Sequence, residues 1–152
     1  MSKKNLRNMI GYGAKGKEIH WPNNAKLALQ LVLNYEEGGE NCILNGDKYS
    51  ETFLSEIIEA KAIKGRNISM ESIYEYGSRA GFWRLDKLFR EKKIPITIFG
   101  VGLAFKQNPE ICEAIKKGNY EVAAHGYRWI DYQDIKKSVE KKHMQEAIKT
   151  IK

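Results

Sequence analysis

Three apolar runs, each ended by turn residues, dominate the hydrophobic pattern of the chain. The first covers residues 26–34, the second covers Ile94–Phe99 and the third covers Tyr120–Ala124. Apolar runs of this length, bounded by turn residues, predict buried strands. The first run ends in the sequence Asn34-Tyr-Glu-Glu-Gly-Gly-Glu40, so a predicted strand leads directly into acidic residues and glycines.

Helical spacing of apolar residues fills the intervals between and after the later strands. A helix is predicted from residue 80. A second helix starts at Asn108–Glu110, which supplies a capping asparagine, a proline at the first helical position and an acid in the first turn, and it ends at Gly118. A third helix is predicted over residues 134–152. The apolar face of the first helix consists of Phe82, Leu85, Leu88 and Phe89.

The alternation of strands and helices predicts an α/β fold with parallel strands and right-handed helical crossovers. Two regions lack this regular pattern. Residues 1–25 are polar and contain several glycines, so we expect them to form an arm that wraps the domain. Residues 35–79 are expected to form a lid or pocket wall, with one short helix that starts near Ser50. The apolar residues of that helix are Phe53, Leu54, Ile57 and Ile58.

Composition narrows the class of protein further. A chain of 152 residues is most simply one domain, covering residues 1–152, with a sizeable core. Cys42 and Cys112 show no metal-type spacing, so we expect reduced thiols and a cytoplasmic protein. No segment is long and apolar enough to predict a membrane span.

The net charge of +7 has two interpretations. A basic chain suits nucleic acid, whereas lysines interleaved with apolar residues over 134–152 are typical of the solvated face of an amphipathic helix. We favour the solvated face and expect no nucleic-acid partner.

Candidate chemistry lies where the predicted strands end. In a parallel sheet Glu36 and Glu37, after the first strand, share one edge with His125, after the third. Two carboxylates and a histidine can activate water and protonate a leaving nitrogen. The alternative is that the acids are ordinary loop residues and that the histidine is a turn residue. His143 is expected to be a partly buried helix residue, and His20 to pack within the arm.

Three motifs carry a family resemblance over nearly the whole chain from about residue 5. They are Leu33-Asn-Tyr-Glu-Glu-Gly-Gly-Glu40, the segment 67–84 and Ala124-His-Gly-Tyr-Arg-Trp-Ile-Asp-Tyr132. Together they resemble the cytoplasmic allantoinase-like branch of the polysaccharide deacetylases (NodB-homology superfamily), also called urate catabolism proteins. The resemblance implies the amino-terminal portion of an irregular (β/α) barrel. It also implies hydrolysis of carbon–nitrogen bonds other than peptide bonds.

The resemblance also assigns site residues. Sugar deacetylases of this family carry Phe-Asp-Asp-Gly, whose acids are the base and a metal ligand, and His-x-x-x-His, which completes the metal site. Here Glu36 and Glu37 match the two acids and His125 matches the first histidine, but Trp129 stands at the second. The resemblance therefore implies Glu36 as base, with Glu37 and His125 orienting the substrate or moving protons. The expected pocket walls are Tyr35, Tyr76 and Trp129.

Glu37 and His125 are the only two residues that the motifs leave for a metal, and a catalytic zinc usually takes three protein ligands. We therefore expect no tightly bound metal, because a divalent ion such as zinc would meet an incomplete site. The substrate implied is a small cyclic amide, as in allantoin opening during purine breakdown. The alternatives are an N-acetyl sugar, cleaved by a metal-dependent polysaccharide deacetylase, and a non-catalytic remnant or basic binding module.

Family members of this branch are about twice as long as this chain. We expect a truncated domain, whose activity is in doubt for that reason. The alternative is a barrel completed by a second chain, either a carboxyl-terminal half or another copy of this one.

Overall fold

Three short parallel strands form the sheet of the computed structural model, which describes residue 7 and residues 9–152. Strand β1 is Val32–Tyr35, β2 is Thr97–Gly100 and β3 is Glu121–Ala124. They lie side by side in the order β1-β2-β3, and both pairs are parallel. The predicted α/β class and its parallel strands are confirmed.

Helices fill the connections, as the alternating pattern predicts. Between β1 and β2 the chain forms a helix interrupted by one π-helical turn, Gly77–Gly81, and Ile43–Asn45 forms a short 3₁₀ turn before it. The helices are α1 (Ile68–Tyr76), α2 (Phe82–Lys92), α3 (Gly102–Gln107), α4 (Pro109–Gly118) and α5 (Lys137–Ile151).

The core lies between the sheet and the helices that cover one of its faces. Tyr35 of β1 stacks on Phe105 of α3, with ring centroids 5.7 Å apart, and meets the edge of Phe82 of α2 at the same distance. Ile98, at the centre of β2, is completely buried, as is Ile111 of α4. The middle strand and three helices therefore share one apolar cluster.

A buried polar group ties the helices together. Asp86 of α2 accepts two hydrogen bonds of 2.9 Å from Arg90 Nε and one of 2.8 Å from the hydroxyl of Tyr120. Arg90 also donates to the carbonyl of Ala114 in α4 at 2.6 Å. Desolvation and the neighbouring Asp86 raise the pKa of Tyr120 to about 12, so its hydroxyl stays a hydrogen-bond donor at neutral pH.

Helix α4 follows its sequence signals closely. The side chain of Asn108 caps it by accepting the N–H of Ile111, and Pro109 occupies the first helical position. The prediction that the helix ends at Gly118 is confirmed, and Asn119 adopts the left-handed conformation just after it (φ 50°). The predicted strands that flank this unit are confirmed to within a few residues.

Other boundaries were predicted wrongly. The first strand was expected over 26–34, but only Val32–Tyr35 is paired, and Leu27 and Leu29 are 75% and 78% exposed. These leucines alternate as in a strand, yet no neighbouring strand or helix in the described part of the chain covers them. The last helix begins at Lys137 and not at 134.

The helix predicted near Ser50 does not form. Residues 51–66 consist of turns and bends, Leu54 takes a positive φ of 66°, and Ile58 is 91% exposed. The second half of the expected lid instead forms α1, which begins where the side chain of Asn67 accepts the N–H of Met70.

The predicted apolar face of α2 was only partly right. Leu85 and Leu88 are exposed, whereas Phe82 and Asp86 are buried.

The predicted amino-terminal arm does not wrap the domain in its described part. Residues 9–25 are exposed throughout, and His20 lies on the surface 3.9 Å from Glu18. The remaining residues of the arm, 1–6 and 8, lie outside the described residues. At the other end of the chain, all six lysines of the segment 134–152 are exposed, in agreement with a solvated helix face.

Among the residues that the structure describes, no helix combines the length and the apolar character needed to cross a lipid bilayer.

We predict that Ile98→Ala lowers the free energy of unfolding by about 2–5 kcal/mol, because it leaves a cavity in a completely buried site. Urea denaturation measures the change. The matched control is Ile148→Ala on α5, where the side chain is 53% exposed and the loss should stay below about 1 kcal/mol. Equal losses in the two variants would contradict this description of the core.

Candidate active site

The two glutamates that follow β1, Glu36 and Glu37, lie on opposite faces of the sheet. Successive side chains of an extended strand alternate between faces. Tyr35 points into the core beneath the helices, so Glu36 points to the open face and Glu37 returns to the helix side. His125, which follows β3, lies on the same open face as Glu36.

Glu36 and His125 form a direct pair. His125 Nε2 lies 2.9 Å from Glu36 Oε1, and the amide of Asn34 donates to the same oxygen at 2.9 Å. The side chains are 35% exposed for His125 and 16% for Glu36. An ionised carboxylate only accepts hydrogen bonds, so His125 must carry its proton on Nε2 when Glu36 is charged. Both contacts fall on Oε1, which leaves Oε2 as the oxygen available to a water molecule.

Glu37 occupies a different environment. Its carboxylate accepts the backbone N–H of Glu36 at 3.0 Å and lies against Gly77, the first residue of the π-helical turn. A methyl group at Gly77 would overlap this carboxylate, so the glycine is required for the contact. Burial is the main cause that raises the pKa of Glu37, and the nearby charge of Glu36 adds to the effect.

A cavity of about 240 Å³ lies on this helix side of β1. Glu40 lines it together with Glu37 and accepts the N–H of Gly38 at 2.6 Å. Gly38 takes a φ of +98°, which favours glycine, and this turn brings both carboxylates to one cavity. Burial is also the main cause that raises the pKa of Glu40.

Arg128 fastens the loop after β1 to the loop after β3. Its guanidinium donates to the carbonyls of Gly39 and Glu40, at 3.1 and 3.0 Å, and forms an ion pair of 2.5 Å with Asp47. Its side chain is only 9% exposed. The loop is held further because the N–H of Trp129 donates to the Gly39 carbonyl at 2.8 Å. Neither Arg128 nor Asp47 was predicted as a functional residue, although the motif Ala124–Tyr132 contains the arginine.

His125 and Trp129 line an open cavity of about 590 Å³ on the other side. The indole of Trp129 packs against the ring of Phe53, with centroids 5.2 Å apart. Glu51 also lines this cavity. Burial alone would raise its pKa, but donation from the N–H groups of Phe53 and Thr52 outweighs burial and lowers it.

The two tyrosines predicted as pocket walls lie elsewhere. Neither is among the residues that line the cavity of His125. Tyr35 is 1% exposed, and its ring belongs to the core. Tyr76 is 55% exposed, and its hydroxyl accepts a hydrogen bond of 3.1 Å from Arg84.

The side chains predicted near the metal position, Glu37, His125 and Trp129, do not form a metal site of the kind expected in sugar deacetylases. Glu37 and His125 face different cavities, and Trp129 offers no ligand atom because its indole N–H only donates. Over residues 7 and 9–152, no group of three or more histidine, cysteine, aspartate and glutamate side chains is arranged to hold a metal ion. The structure therefore carries a carboxylate–histidine pair at the sheet edge and a separate acidic cavity behind it.

His143 of α5 is partly buried, as predicted. Its Nδ1 lies 2.8 Å from the hydroxyl of Tyr132, and its ring packs against Tyr127 with centroids 5.4 Å apart. Burial, and after it the charge of Arg128, lowers the pKa of His143. The histidine thus fastens α5 to the loop after β3 and lies outside the cavity of His125.

Comparison with known proteins gives consistent matches. The family model described as polysaccharide deacetylase matches residues 64–152. A protein of Schizosaccharomyces pombe that is assigned as a polysaccharide deacetylase is 38% identical over 148 residues, which are 95% of this chain and 46% of the relative. The chain therefore spans about half the length of this curated relative.

Two solved structures are also similar. The crystal structure of PuuE allantoinase is 51% identical, with a TM-score of 0.88 over 98% of this chain and 50% of its own. A Pseudomonas aeruginosa PAO1 protein, assigned as a polysaccharide deacetylase, is 52% identical, with a TM-score of 0.87 over 97% of this chain and 49% of its own. These matches confirm the predicted fold class, in which the chain makes up a portion of a (β/α) barrel.

The opposite pKa shifts of Glu40 and Glu51 predict opposite effects of removing their charges. Because the pKa of Glu40 is higher in the folded than in the unfolded state, its protonation stabilises the fold at pH below the unfolded-state pKa. This stabilisation is lost as the pH rises through the folded-state pKa. Glu40→Gln should therefore raise the melting temperature at pH 7, with a gain that shrinks as pH falls toward the ordinary carboxyl pKa of 4.5.

Glu51→Gln serves as the control of opposite sign. Because the pKa of Glu51 is lower in the folded than in the unfolded state, its ionised carboxylate stabilises the fold at pH above the unfolded-state pKa. This stabilisation is lost as the pH falls through the folded-state pKa. The variant should melt earlier at pH 7, by about 2–4 °C for each kcal/mol lost. Thermal melts followed by circular dichroism across pH measure both changes, and shifts of the same sign at pH 7 would refute the assignment.

Proposed function

The chain belongs to the polysaccharide deacetylase family, and from that premise we propose that it contributes the catalytic base of a hydrolase that opens a small cyclic amide. The observation that carries the proposal is the pairing of Glu36 with His125 at 2.9 Å on the open face of the sheet. The similarity to an allantoinase supports a ring amide as the class of substrate.

In this mechanism Glu36 acts as general base. Its carboxylate takes a proton from water while the water oxygen adds to the carbonyl carbon of the substrate. The ring C–N bond then breaks. The proton held by Glu36 passes to the leaving nitrogen, directly or through His125. The product is the ring-opened molecule with one new N–H and one new carboxylic acid, which releases its proton to the solvent at neutral pH. The negative oxygen formed on the way needs hydrogen-bond donors to stabilise it.

Neighbouring residues position this base. Asn34 and His125 hold Oε1 of Glu36, so the carboxylate cannot rotate away from the substrate side. Glu37 acts on the backbone, because its carboxylate accepts the N–H of Glu36 itself. We propose Trp129 as a wall of the substrate pocket, since it lines the cavity of His125. Tyr35 and Tyr76 stay outside this role because they lie away from that cavity.

We further propose that other strands complete the site, from a carboxyl-terminal half or from another copy of this chain. Two observations support this. The chain spans about half of each similar structure, and β1 and β3 each pair on one side only within the described residues. Leu27 and Leu29, which precede β1, are mostly exposed. Completion would cover these side chains and enclose the face that carries Glu36.

We propose the cytoplasm as the compartment and purine breakdown as the setting. Cys42 and Cys112 are both free thiols, which suits a reducing compartment. The single domain over 1–152 stays a prediction.

A second candidate function is the removal of N-acetyl groups from a sugar polymer. Its support is the family model and the two relatives assigned as polysaccharide deacetylases. That reaction in this family uses a divalent metal, and the donor set described above does not fit one. Dialysis against zinc or cobalt followed by metal analysis tests it. Stoichiometric metal together with deacetylation of an N-acetyl sugar would favour this candidate over ring opening.

We predict that Glu36→Gln abolishes allantoin hydrolysis, with a loss of about 10²–10⁴-fold, because glutamine cannot take the proton. The assay uses the purified chain alone and mixed with a complementary carboxyl-terminal half. Chelators should leave the wild-type rate unchanged. The melting temperature of the variant should change little, because glutamine keeps the size of the side chain and its Oε1 can still accept hydrogen bonds from Asn34 and His125.

The matched control is Glu75→Gln. Glu75 lies on α1 and is already paired with Arg79 at 3.0 Å, so its removal should leave turnover intact. Unchanged turnover in Glu36→Gln would dismiss Glu36 as base. Absence of ring opening in every combination of chains would dismiss the proposed activity.

A further inference from the structure

The acidic cavity behind β1 has no part in the chemistry proposed above. Its walls come from three places: the loop after β1, helix α1 and the end of α3. At about 240 Å³ it is smaller than the roughly 300–1,000 Å³ typical of sites for drug-sized ligands. Its polar lining residues are Glu37, Glu40, Asn45, Glu71, Gln107 and Asn108, among others.

The negative charge in this cavity is only partly compensated. Glu71 and Glu75 stand on α1 and pair with Arg66 and Arg79. Glu37 and Glu40 lie deeper and have no ion pair with any described residue. Neither lysine nor arginine occurs among the described residues that line the cavity. Burying an unpaired carboxylate is costly, so two of them in one cavity point to a cation that is not part of the described chain.

Tyr35 supplies an independent observation. Its hydroxyl is buried and has no hydrogen-bond partner among the described residues. The ring is fixed by Phe105 and Phe82, so the end of the side chain meets the cavity beside Glu37 and Asn108. Native structures rarely leave a buried hydroxyl unpaired, so such an atom at a cavity wall marks a place for a ligand.

We propose that this cavity binds a small organic cation with N–H donors, of the guanidinium or ammonium class. Glu37 and Glu40 accept its N–H groups as charged partners, and the hydroxyl of Tyr35 provides a third contact. A metal ion suits the cavity less well, because no described group of three acidic, histidine or cysteine side chains is arranged to hold one. A planar or tetrahedral nitrogen cation instead spreads its donors over separate acceptors.

The site is separate from the catalytic pair. Glu36 and His125 do not line this cavity, and they lie on the opposite face of the sheet. Glu37 contacts both regions, since its carboxylate accepts the N–H of Glu36 while it lines the cavity. Occupancy of the cavity and the position of the base are therefore coupled through one side chain.

The experiment is a nuclear magnetic resonance titration of the ¹⁵N-labelled chain. Guanidinium chloride is added at low concentrations, far below those that denature proteins, and compared with urea, its neutral counterpart of the same shape, and with potassium chloride. We expect saturable shifts of the Gly38, Glu40 and Gly77 amides with guanidinium and none with urea or potassium. Methylammonium chloride tests the ammonium class in the same way.

Two variants test the assigned contacts. Glu40→Gln removes one charge and should weaken guanidinium binding by about tenfold or more, as expected for a charge-assisted hydrogen bond. Tyr35→Phe removes only the unpaired hydroxyl and should weaken binding by about threefold to tenfold without loss of folding. The matched control is Glu113→Gln on α4, whose carboxylate pairs with Lys116 at 3.1 Å and does not line the cavity, and it should bind as well as the wild type.

Several outcomes would overturn the proposal. Equal shifts with guanidinium and urea would show a polar cavity without selectivity for charge. Absence of saturable shifts with both cations, or shifts that Glu40→Gln and Tyr35→Phe leave unchanged, would remove the site. Should Glu40→Gln fail to fold, Tyr35→Phe decides. Guanidinium binding that persists in Glu36→Gln would show that this site stands even where the proposed hydrolysis fails.

Discussion

The parallel pairing of β1 with β2 is the constraint on which the rest of the structure depends. It sets Tyr35 opposite Gly100, where the absence of a side chain leaves room for Phe105 to stack on the tyrosine ring. With Tyr35 fixed in the core, the alternation of side chains directs Glu36, the next residue, to the open face. The turn that follows β1 then returns Glu37 to the helix side, against Gly77. One register therefore decides the positions of both the Glu36–His125 pair and the acidic cavity.

Strands and helices whose signals are local could be predicted from the sequence. Asn108 and Pro109 define the start of α4 by capping chemistry alone, and the strand before His125 is apolar and bounded by turns. Residues 51–66 show where this reasoning fails. Phe53 and Leu54 have helical spacing with Ile57 and Ile58, but spacing produces a helix only when a partner surface buries it. The π-helical turn at Gly77–Gly81 was not predicted, and the contact of Gly77 with the carboxylate of Glu37 joins residues far apart in the chain.

The sequence predicted which residues lie near one another at the site, but not how their side chains are arranged. Placing Glu36 and His125 at the ends of parallel strands was enough to expect their contact, and the 2.9 Å distance agrees with it. Glu37 was grouped with them because strand ends were considered without the alternation of side chains. The same alternation, counted from the buried Tyr35, separates the two acids. Arg128 could not be found in this way, since two of its partners are backbone carbonyls and the third, Asp47, is about eighty residues away in the chain.

The backbone carbonyl of Gly39 couples the loop after β1 to the loop after β3. This one oxygen accepts hydrogen bonds from the N–H of Trp129 and the guanidinium of Arg128, so it joins the loops after β1 and β3. Neither loop can open locally without breaking bonds that belong to the other. Residues 38–47 and 126–132 are therefore expected to behave as one cooperative unit in native-state hydrogen exchange, although about eighty residues of chain separate them.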